Sequence, residues 1–314
     1  MDLTEDELLD AIRRVLDEPA AEVVVGVGDD AAVVKAGSGD VVLTTDALVE
    51  GTHFERVLTS ARDLGYKSIQ VNVSDVAAMA GSPRYALCAL TLSEQVDAAW
   101  TIELLGGMRE ACAEHGMRLV GGNLARGSEI TLAVTVMGEV APGRAVTRWG
   151  ARVGDRVVVT GSLGGATAGL RASREHPPWS PEERDAIHRH ARPIARVGEA
   201  VVLSHHGARA MMDVSDGLAL DLSRLCAASG VGAVLDLEAV PVHPAATLDD
   251  ALGGGEDYEL LATVPTSDAV EAAGAELAET FGIPLTDIGA IVEGDGLRDP
   301  RGRPVEPSGW DHFR

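Results

Sequence analysis

The sequence predicts an α/β protein with mixed sheets of the α+β kind, divided into two domains. The chain has 314 residues, which is more than one average core of about 150 residues accommodates. Its 46% apolar and 24% charged residues are typical of a globular protein, and with 3% aromatic residues its core must be mainly aliphatic. Short Val-rich runs alternate with helical patterns along the chain, which is the order expected of layered α/β domains.

The predicted elements of the first half follow this alternation. An amphipathic helix opens the chain after the capping-box sequence Thr4–Glu7. The further elements are strands at 23–25, 31–34 and 41–43, a helix from Asp63 through Met79, a strand at 85–92, a helix at 98–115, and strands at 118–120 and 130–136. Pro142 and Gly143, with a change to polar composition behind them, predict a boundary between domains at 1–141 and 142–314.

The second half begins with a Val-rich strand and a Gly-rich turn at 161–165 that leads into a helix. A surface loop is expected around the prolines at 177–181. The further elements are a helix at 197–205, a strand at 208–212, a helix at 218–229, strands at 233–237 and 260–264, a helix at 268–281 and a strand at 287–292. The turn at 161–165 carries no lysine, so it is not a Walker loop.

Charge and cysteine usage exclude several classes of protein. The formal net charge of −23 repels nucleic acid and anionic membranes, so neither is an expected partner. No apolar run approaches the roughly 18 residues of a membrane span, and the acidic start does not fit a secretory signal. We therefore expect a cytoplasmic protein. Cys88, Cys112 and Cys226 show no metal-ligand spacing and are interpreted as reduced core residues.

Five short segments place an Asp or Glu beside Gly, Ser or Thr near an apolar run. They are Gly26–Asp30, Thr44–Asp46, Asn72–Asp75, Asp213–Gly217 and Gly253–Asp257. Carboxylates at strand ends and helix entrances, with small neighbours that allow a ligand near the backbone, suit a divalent cation and a polyphosphate. The sequence therefore predicts a metal-dependent enzyme that handles phosphate.

Each of these segments also has an ordinary structural interpretation. Ser74-Asp75 and Ser215-Asp216 are each interpreted as heading a helix, where they would serve as N-caps. Asp29-Asp30 could form a turn between two strands, and His53 could be a packed loop residue. The alternatives remain open at each position taken alone.

Three further positions could bind phosphate or close a site. Gly121–Arg126 follows a predicted strand and is expected to open a loop, either as a tight turn or as a close approach to a phosphate. Arg148 is a candidate phosphate clamp or an ordinary surface residue. Trp310 lies in a terminal segment that is unusually aromatic for a free end, so a docked tail could close the site.

Taken in order, these segments resemble one known family. The chain resembles the thiamine-monophosphate kinases of the aminoimidazole-ribonucleotide-synthetase-like ATP-binding superfamily. The matching blocks are Gly26–Asp30, Thr44–Phe54, Tyr66–Gly81, Gly121–Arg126, Thr147–Gly161, Asp213–Leu218, Gly254–Leu260 and Gly309–Phe313. The Gly254–Leu260 block and the His312-Phe313 ending favour this family over its relatives.

The resemblance implies a fold and a reaction. The fold is the two-domain aminoimidazole-ribonucleotide-synthetase-like fold, with an N-terminal domain that binds metal and ATP and dimerises through its sheet, and a C-terminal domain that completes the active site. The reaction is ATP-dependent phosphorylation of thiamine monophosphate to thiamine diphosphate. It proceeds by direct in-line transfer without a covalent enzyme intermediate, with ATP as the co-substrate. The resemblance also implies that the enzyme is a homodimer.

The resemblance also implies roles for individual residues. Several Mg²⁺ ions would be held by Asp30, Thr44, Thr45, Asp46, Asp75, Asn123, Asp213 and Asp216. ATP contacts would come from Gly122, Asn123, Arg148 and Ser215, and thiamine monophosphate contacts from His53, Glu256 and Trp310. No side chain is implied as a catalytic acid or base. The family usually has Asp where this chain has Asn123, which offers a carbonyl oxygen but no charge, so one cation site would be weaker or rely on the ATP phosphates.

Two other classes of function compete with this interpretation, another enzyme of the same superfamily and a protein without catalysis. Within the superfamily, selenophosphate synthetases carry a reactive Cys or selenocysteine with a Lys near the N-terminus, and the hydrogenase-maturation dehydratase ends in a functional Cys. Neither feature is present here. The purine-pathway synthetase is a further ATP-using relative. From another class, the chain could be an acidic metal-binding protein without catalysis.

Overall fold

The computed structural model describes residues 5–16, 21–25, 32–175 and 177–310. The chain forms two compact units. The first holds the described residues up to Val76 together with Ser82–Gly143, and the second holds Ala77–Gly81 and the described residues from Arg144 onward. Both units combine helices with a sheet, which confirms the predicted α/β class of mixed sheets.

The helices and strands are as follows. The helices are α1 (Glu5–Leu16), α2 (Ala61–Ala78), α3 (Ala98–Glu114), α4 (Gly165–Ser173), α5 (Pro181–Ala191), α6 (Val197–His205), α7 (Leu218–Ser229), α8 (Leu248–Gly253) and α9 (Ser267–Phe281). The strands are β1 (Val23–Val25), β2 (Val33–Val34), β3 (Asp40–Val49), β4 (Ser82–Leu92), β5 (Arg118–Arg126), β6 (Thr131–Val140), β7 (Arg156–Thr160), β8 (Ala210–Asp213), β9 (Gly232–Leu235), β10 (Leu260–Val264), β11 (Leu285–Val292), β12 (Leu297–Arg298) and β13 (Pro304–Val305).

The first unit is built on a four-stranded sheet in the order β3-β6-β4-β5, in which only the pair β4-β5 is parallel. Alternate residues of β6, such as Val134 and Val136, are buried, whereas their neighbours are only partly covered. Helices α2 and α3 cross closely, because a Cβ at Gly65 or Gly107 would overlap the backbone of the other helix. One face of this sheet is therefore covered and the other is open.

The second unit contains a seven-stranded sheet in the order β13-β12-β9-β11-β7-β10-β8. Alternation along β7 sends Val157 and Val159 into one hydrophobic core and Val158 into another. Residues of α7 pack in the first core, and residues of α6 and α9 pack in the second. Helices thus cover both faces, and β8 brings Asp213 to one edge of the sheet.

The structure corrects three predictions near the site. Gly122 and Asn123 lie within β5, not in a loop, because β4 provides a parallel partner as far as Arg126. Ser74 and Asp75 lie near the end of α2 and do not head a helix. The N-cap of α7 is Gly217, so Ser215 and Asp216 form the turn before the helix.

Other expectations concern the cysteines, the membrane and the first helix. All three cysteines are free and buried, which confirms that they are core residues, and burial raises the pKa of each thiol to about 12. Within the described ranges, no helix is long and apolar enough to cross a bilayer. The expected cap residue Thr4 lies outside the described residues.

Candidate active site

Strand β3 and helix α2 bring three of the predicted metal-binding residues together. The hydroxyl of Thr44 donates to Oδ2 of Asp75 at 2.5 Å. The backbone N–H of Asp46 donates to Oδ1 of Asn72 at 2.9 Å, and Asn72 is itself anchored to the carbonyl of Ser68 in α2. Since Thr44 and Asp46 are two residues apart in a strand, their side chains share one face. We call Thr44, Asp46 and Asp75 the β3 edge cluster.

Thr45 and Asn123 lie elsewhere on the same sheet. The side chain of Thr45 faces away from that of Thr44, and its hydroxyl donates to the carbonyl of Val134 at 3.0 Å. Asn123 is on β5, at the opposite edge of the sheet from β3. Three strand spacings separate these edges, a distance of about 14 Å. One copy of the first unit therefore does not place Asn123 beside the β3 edge cluster.

Gly122 occupies a position that admits no side chain. A Cβ at Gly122 would lie 1.9 Å from the carbonyl oxygen of Cys88 on β4. Close packing against β4 therefore requires a glycine at this position, and the exposed backbone of Gly122 is also accessible to a ligand. This strand conformation is compatible with a close approach of a phosphate to Gly122.

His53 follows the end of β3 and is oriented by its own strand. Its Nδ1 accepts a hydrogen bond from the backbone N–H of Val49 at 3.1 Å. In the neutral ring, the proton must then be on Nε2, which becomes a donor. A ring fixed in this tautomer is suited to donating to a phosphate oxygen or to another acceptor on a substrate.

A buried carboxylate fixes the turn that carries Ser215 and Asp216. Oδ2 of Asp221 accepts the backbone N–H groups of Ser215 at 3.1 Å and Asp216 at 3.0 Å. Arg224 contacts the carboxylates of both Asp216 and Asp221. Burial raises the pKa of Asp221 to about 6, and the N–H of Asp216 acts in the opposite direction. Asp213, at the end of β8, is buried beside this turn.

Three segments that are distant in sequence meet at this turn. The backbone N–H of Glu256 donates to the carbonyl of Ser215 at 2.8 Å, and that of Trp310 donates to the carbonyl of Asp216 at 2.9 Å. A Cβ at Gly255 would lie 2.5 Å from the carbonyl oxygen of Ser215, so the glycine permits the contact. The second unit therefore places the predicted substrate residues Glu256 and Trp310 beside the predicted ATP and metal residues.

The N-terminus of α4 is already occupied by a carboxylate of the chain itself. Asp257 accepts the backbone N–H groups of Gly164 at 2.6 Å and Ala166 at 3.1 Å. Burial raises its pKa to about 7, although both N–H groups act in the opposite direction. Free N–H groups at a helix N-terminus commonly bind phosphate. At α4 two of these N–H groups already donate to Asp257. The Gly-rich turn before α4 also lacks the lysine of a Walker loop, so both features disfavour phosphate binding at this turn.

Arg148 lies in the segment between Gly143 and β7. Its carbonyl accepts a hydrogen bond from the hydroxyl of Ser229 at 2.9 Å, while its side chain is exposed. The next residue, Trp149, is 69% exposed. The guanidinium group is thus accessible to an anion, as a phosphate clamp requires.

The donor chemistry of these residues fits Mg²⁺. All the groups concerned are carboxylate, hydroxyl or amide oxygens, which this hard cation prefers. Among the residues that the structure describes, no group of three or more His, Cys, Asp or Glu side chains is arranged to hold a metal ion. Mg²⁺ at phosphate-transfer sites is usually bound by one or two carboxylates plus substrate phosphates, so a three-acid cage is not needed. Asp30 lies outside the described residues.

His190 and Asp221, which support the predicted site residues, carry no signal in the sequence, and Asp257 lies in a predicted segment but without an assigned role. His190 is buried, and its Nδ1 lies 3.3 Å from Oε2 of Glu256. It belongs to α5, a helix that is not predicted from the sequence beyond the expected surface loop at 177–181. The signal for that helix was present, because Ser180 and Glu183 form a capping box with Pro181 at the first turn.

The chain matches one protein family along most of its length. Residues 28–140 match the AIR synthase related protein, N-terminal domain, and residues 152–299 match the AIR synthase related protein, C-terminal domain. It is 36% identical to the thiamine-monophosphate kinase of Aquifex aeolicus (strain VF5), over 99% of each chain. It is 38% identical to that of Salmonella typhimurium (strain LT2), over 93% of each chain.

Solved structures show the same similarity. The thiamine-monophosphate kinase of Stenotrophomonas maltophilia K279a superposes with a TM-score of 0.86 at 35% identity, over 97% of this chain and 99% of that one. A structure described as "AaThiL complexed with AMPPCP and TMP" has a TM-score of 0.79 at 36% identity, over 100% and 99% of the two chains. The hydrogenase maturation protein HypE in complex with ATP shares the fold, with a TM-score of 0.79 at 20% identity.

Proposed function

The chain belongs to the thiamine-monophosphate kinase family of the AIR synthase related proteins, and we propose that it transfers the γ-phosphoryl group of ATP to thiamine monophosphate, giving thiamine diphosphate. The observation that carries the proposal is the meeting of Glu256, Trp310 and the Ser215–Asp216 turn in one place. These residues have three separate origins in the sequence. A relative 36% identical to this chain binds AMPPCP and TMP together.

The two substrates impose a simple electrostatic requirement. ATP and thiamine monophosphate both carry phosphate charge, and two anions repel each other strongly at short distance. The carboxylates of the β3 edge cluster, with those of Asp213 and Asp216, would hold Mg²⁺ ions in both units. When bound, these ions would neutralise the phosphates and polarise the oxygens between which the phosphoryl group moves.

The residues of the chain have binding and orienting roles in this reaction. Arg148 is exposed and would clamp an ATP phosphate, and Nε2–H of His53 would donate to the substrate. The attacking phosphate oxygen is already deprotonated at neutral pH, so in-line attack requires no strong general base. This agrees with the absence of a predicted catalytic acid or base. Since ATP is an intracellular metabolite, we also expect the enzyme to work in the cytoplasm.

A nucleotide-consumption assay tests the proposed function. With Mg²⁺ present, ADP formation should depend on thiamine monophosphate and should be negligible with thiamine, which lacks the attacking phosphate. Equal ADP formation with and without thiamine monophosphate would indicate another ATP-using activity. No ADP formation with any acceptor, together with Mg²⁺ binding, would support a metal-binding protein without catalysis.

We further propose that the enzyme is a homodimer formed through the open face of the four-stranded sheet. This face exposes three large apolar side chains, Val41 at 57%, Leu43 at 68% and Leu87 at 44%. Exposed apolar patches of this kind commonly mark protein interfaces.

Replacement of Leu43 by glutamate should disrupt this dimer. The substitution puts a charge among the exposed apolar side chains of this face, where pairing would bury it without a partner. Size-exclusion chromatography with light scattering should show twice the chain mass for the wild type and the chain mass for Leu43→Glu. Val57→Glu is the matched control, since Val57 is 87% exposed and lies outside the sheet. A wild-type protein that is already monomeric would contradict the proposal.

A further inference from the structure

Glu256 has a backbone conformation that is unusual for a residue with a side chain. Its φ angle is +70°, and that of Tyr258 is +52°, both in the left-handed region. Residues other than Gly and Asn rarely adopt this backbone region unless the surrounding structure enforces it. Such residues cluster at binding sites, and the conformation of Glu256 must be enforced by its surroundings.

Hydrogen bonds fix the main chain on both sides of Glu256. Its own N–H donates to Ser215, and the N–H of Tyr258 donates to the carbonyl of Val214 at 2.9 Å. Between them, the carboxylate of Asp257 accepts two N–H groups at the start of α4. The backbone of this segment is therefore held in place, while the orientation of the Glu256 side chain depends on its own neighbours.

His190 is a neighbour of that side chain. The residue is 6% exposed, and its Nδ1 lies 3.3 Å from Oε2 of Glu256. Helix α5, which carries His190, is fixed against α4 at a close crossing, because a Cβ at Gly169 would lie 2.0 Å from the carbonyl oxygen of Ala186. The imidazole thus reaches the carboxylate from a rigid support inside the unit.

We propose that His190 is a positioning residue that holds the Glu256 carboxylate toward the cationic heteroaromatic part of the substrate. This inference rests on the proposed function. Thiamine monophosphate carries a thiazolium cation and an aminopyrimidine, which distinguish it from other phosphate acceptors. A carboxylate attracts the cation and accepts from the amine. The backbone N–H of Trp310 bonds to Asp216, next to Ser215, and its indole would add cation–π attraction if it faces the same cation.

The expected signature is an effect on substrate affinity alone. His190→Leu should raise the KM for thiamine monophosphate about tenfold, with kcat within about twofold and the KM for ATP unchanged. His190→Gln should recover part of the loss, because its amide group keeps a polar contact beside the carboxylate. His188→Leu is the control, since His188 is exposed on the same helix. A general structural role for His190 would lower kcat or affect both substrates.

A double-mutant cycle makes the inference independent of any single variant. Glu256→Gln alone should raise the same KM, and adding His190→Leu should then cause little further change, because both act through one contact. Additive effects, or a KM unchanged in Glu256→Gln, would overturn the inference while wild-type turnover stands. If the wild type shows no turnover that depends on thiamine monophosphate, the proposed function fails, and this inference fails with it.

Discussion

Replacement of Asp75 by asparagine is expected to reduce kcat by about 10³-fold or more, which corresponds to about 4 kcal/mol of lost transition-state stabilisation. The amide can still accept the hydrogen bond from Thr44, so the local geometry survives while the negative charge is lost. Without that charge, one cation between the phosphates is held too weakly to offset their repulsion. Steady-state kinetics at saturating ATP and thiamine monophosphate measures the effect.

The control for this prediction is another acidic residue of the same helix. Asp63 lies in the first turn of α2, is partly exposed and accepts a hydrogen bond from Ser60. Asp63→Asn should leave kcat within about twofold of the wild type, since surface substitutions rarely matter. Both variants should keep the wild-type circular dichroism spectrum. Full turnover by Asp75→Asn at limiting Mg²⁺ would contradict the metal-binding role of Asp75.

The largest expected effect on stability comes from a buried ion pair in the second unit. Glu259 is 1% exposed and accepts two hydrogen bonds from Arg196, at 2.6 and 2.8 Å, and one from the hydroxyl of Thr160 at 2.7 Å. Arg196 also contacts Glu199, whose pKa is raised by burial. Glu259→Ala leaves this arginine buried without its main partner. We expect a loss of about 3–5 kcal/mol in the free energy of unfolding.

The free energy of unfolding in urea, measured for matched variants, distinguishes the cost of an unpaired buried charge from the cost of losing a side chain. The triple variant Arg196→Met, Glu199→Gln and Glu259→Leu removes all three charges and should recover most of the stability, because apolar or neutral replacements of a buried pair are often near neutral. Arg62→Ala, which breaks half-exposed ion pairs with Glu103 and Glu110, should cost at most about 1 kcal/mol. A Glu259→Ala loss as small as that of Arg62→Ala would show that the pair contributes little.

Elements whose ends carry local signals could be predicted from the sequence to within a residue or two. Helix α7 ends at Gly230 in the left-handed conformation, and its range Leu218–Ser229 is the predicted one. Strand β10, a fully buried apolar run, also has its predicted range. Strand β5, in contrast, was predicted to end at Val120. Its extent depends on pairing with β4, and a pairing between distant segments leaves no local pattern.

The residues of the candidate site also divide into those that the sequence predicts and those that depend on contacts between distant segments. The small-residue and carboxylate segments are visible locally, so Asp75, Asp213 and Glu256 could be named from the sequence. The contact of His190 with Glu256 joins residues 66 positions apart, and no spacing rule predicts it. The opposite faces of Thr44 and Thr45 follow only once β3 is known to extend through both.

The most direct test of the central claim is the transfer of a labelled γ-phosphoryl group from ATP to thiamine monophosphate. In the presence of Mg²⁺, we predict that the label appears in thiamine diphosphate, in an amount equal to the ADP formed. Excess chelator should abolish the transfer, and added Mg²⁺ should restore it. Label released only as inorganic phosphate, or transfer that is unaffected by the chelator, would contradict metal-assisted phosphorylation of thiamine monophosphate by this protein.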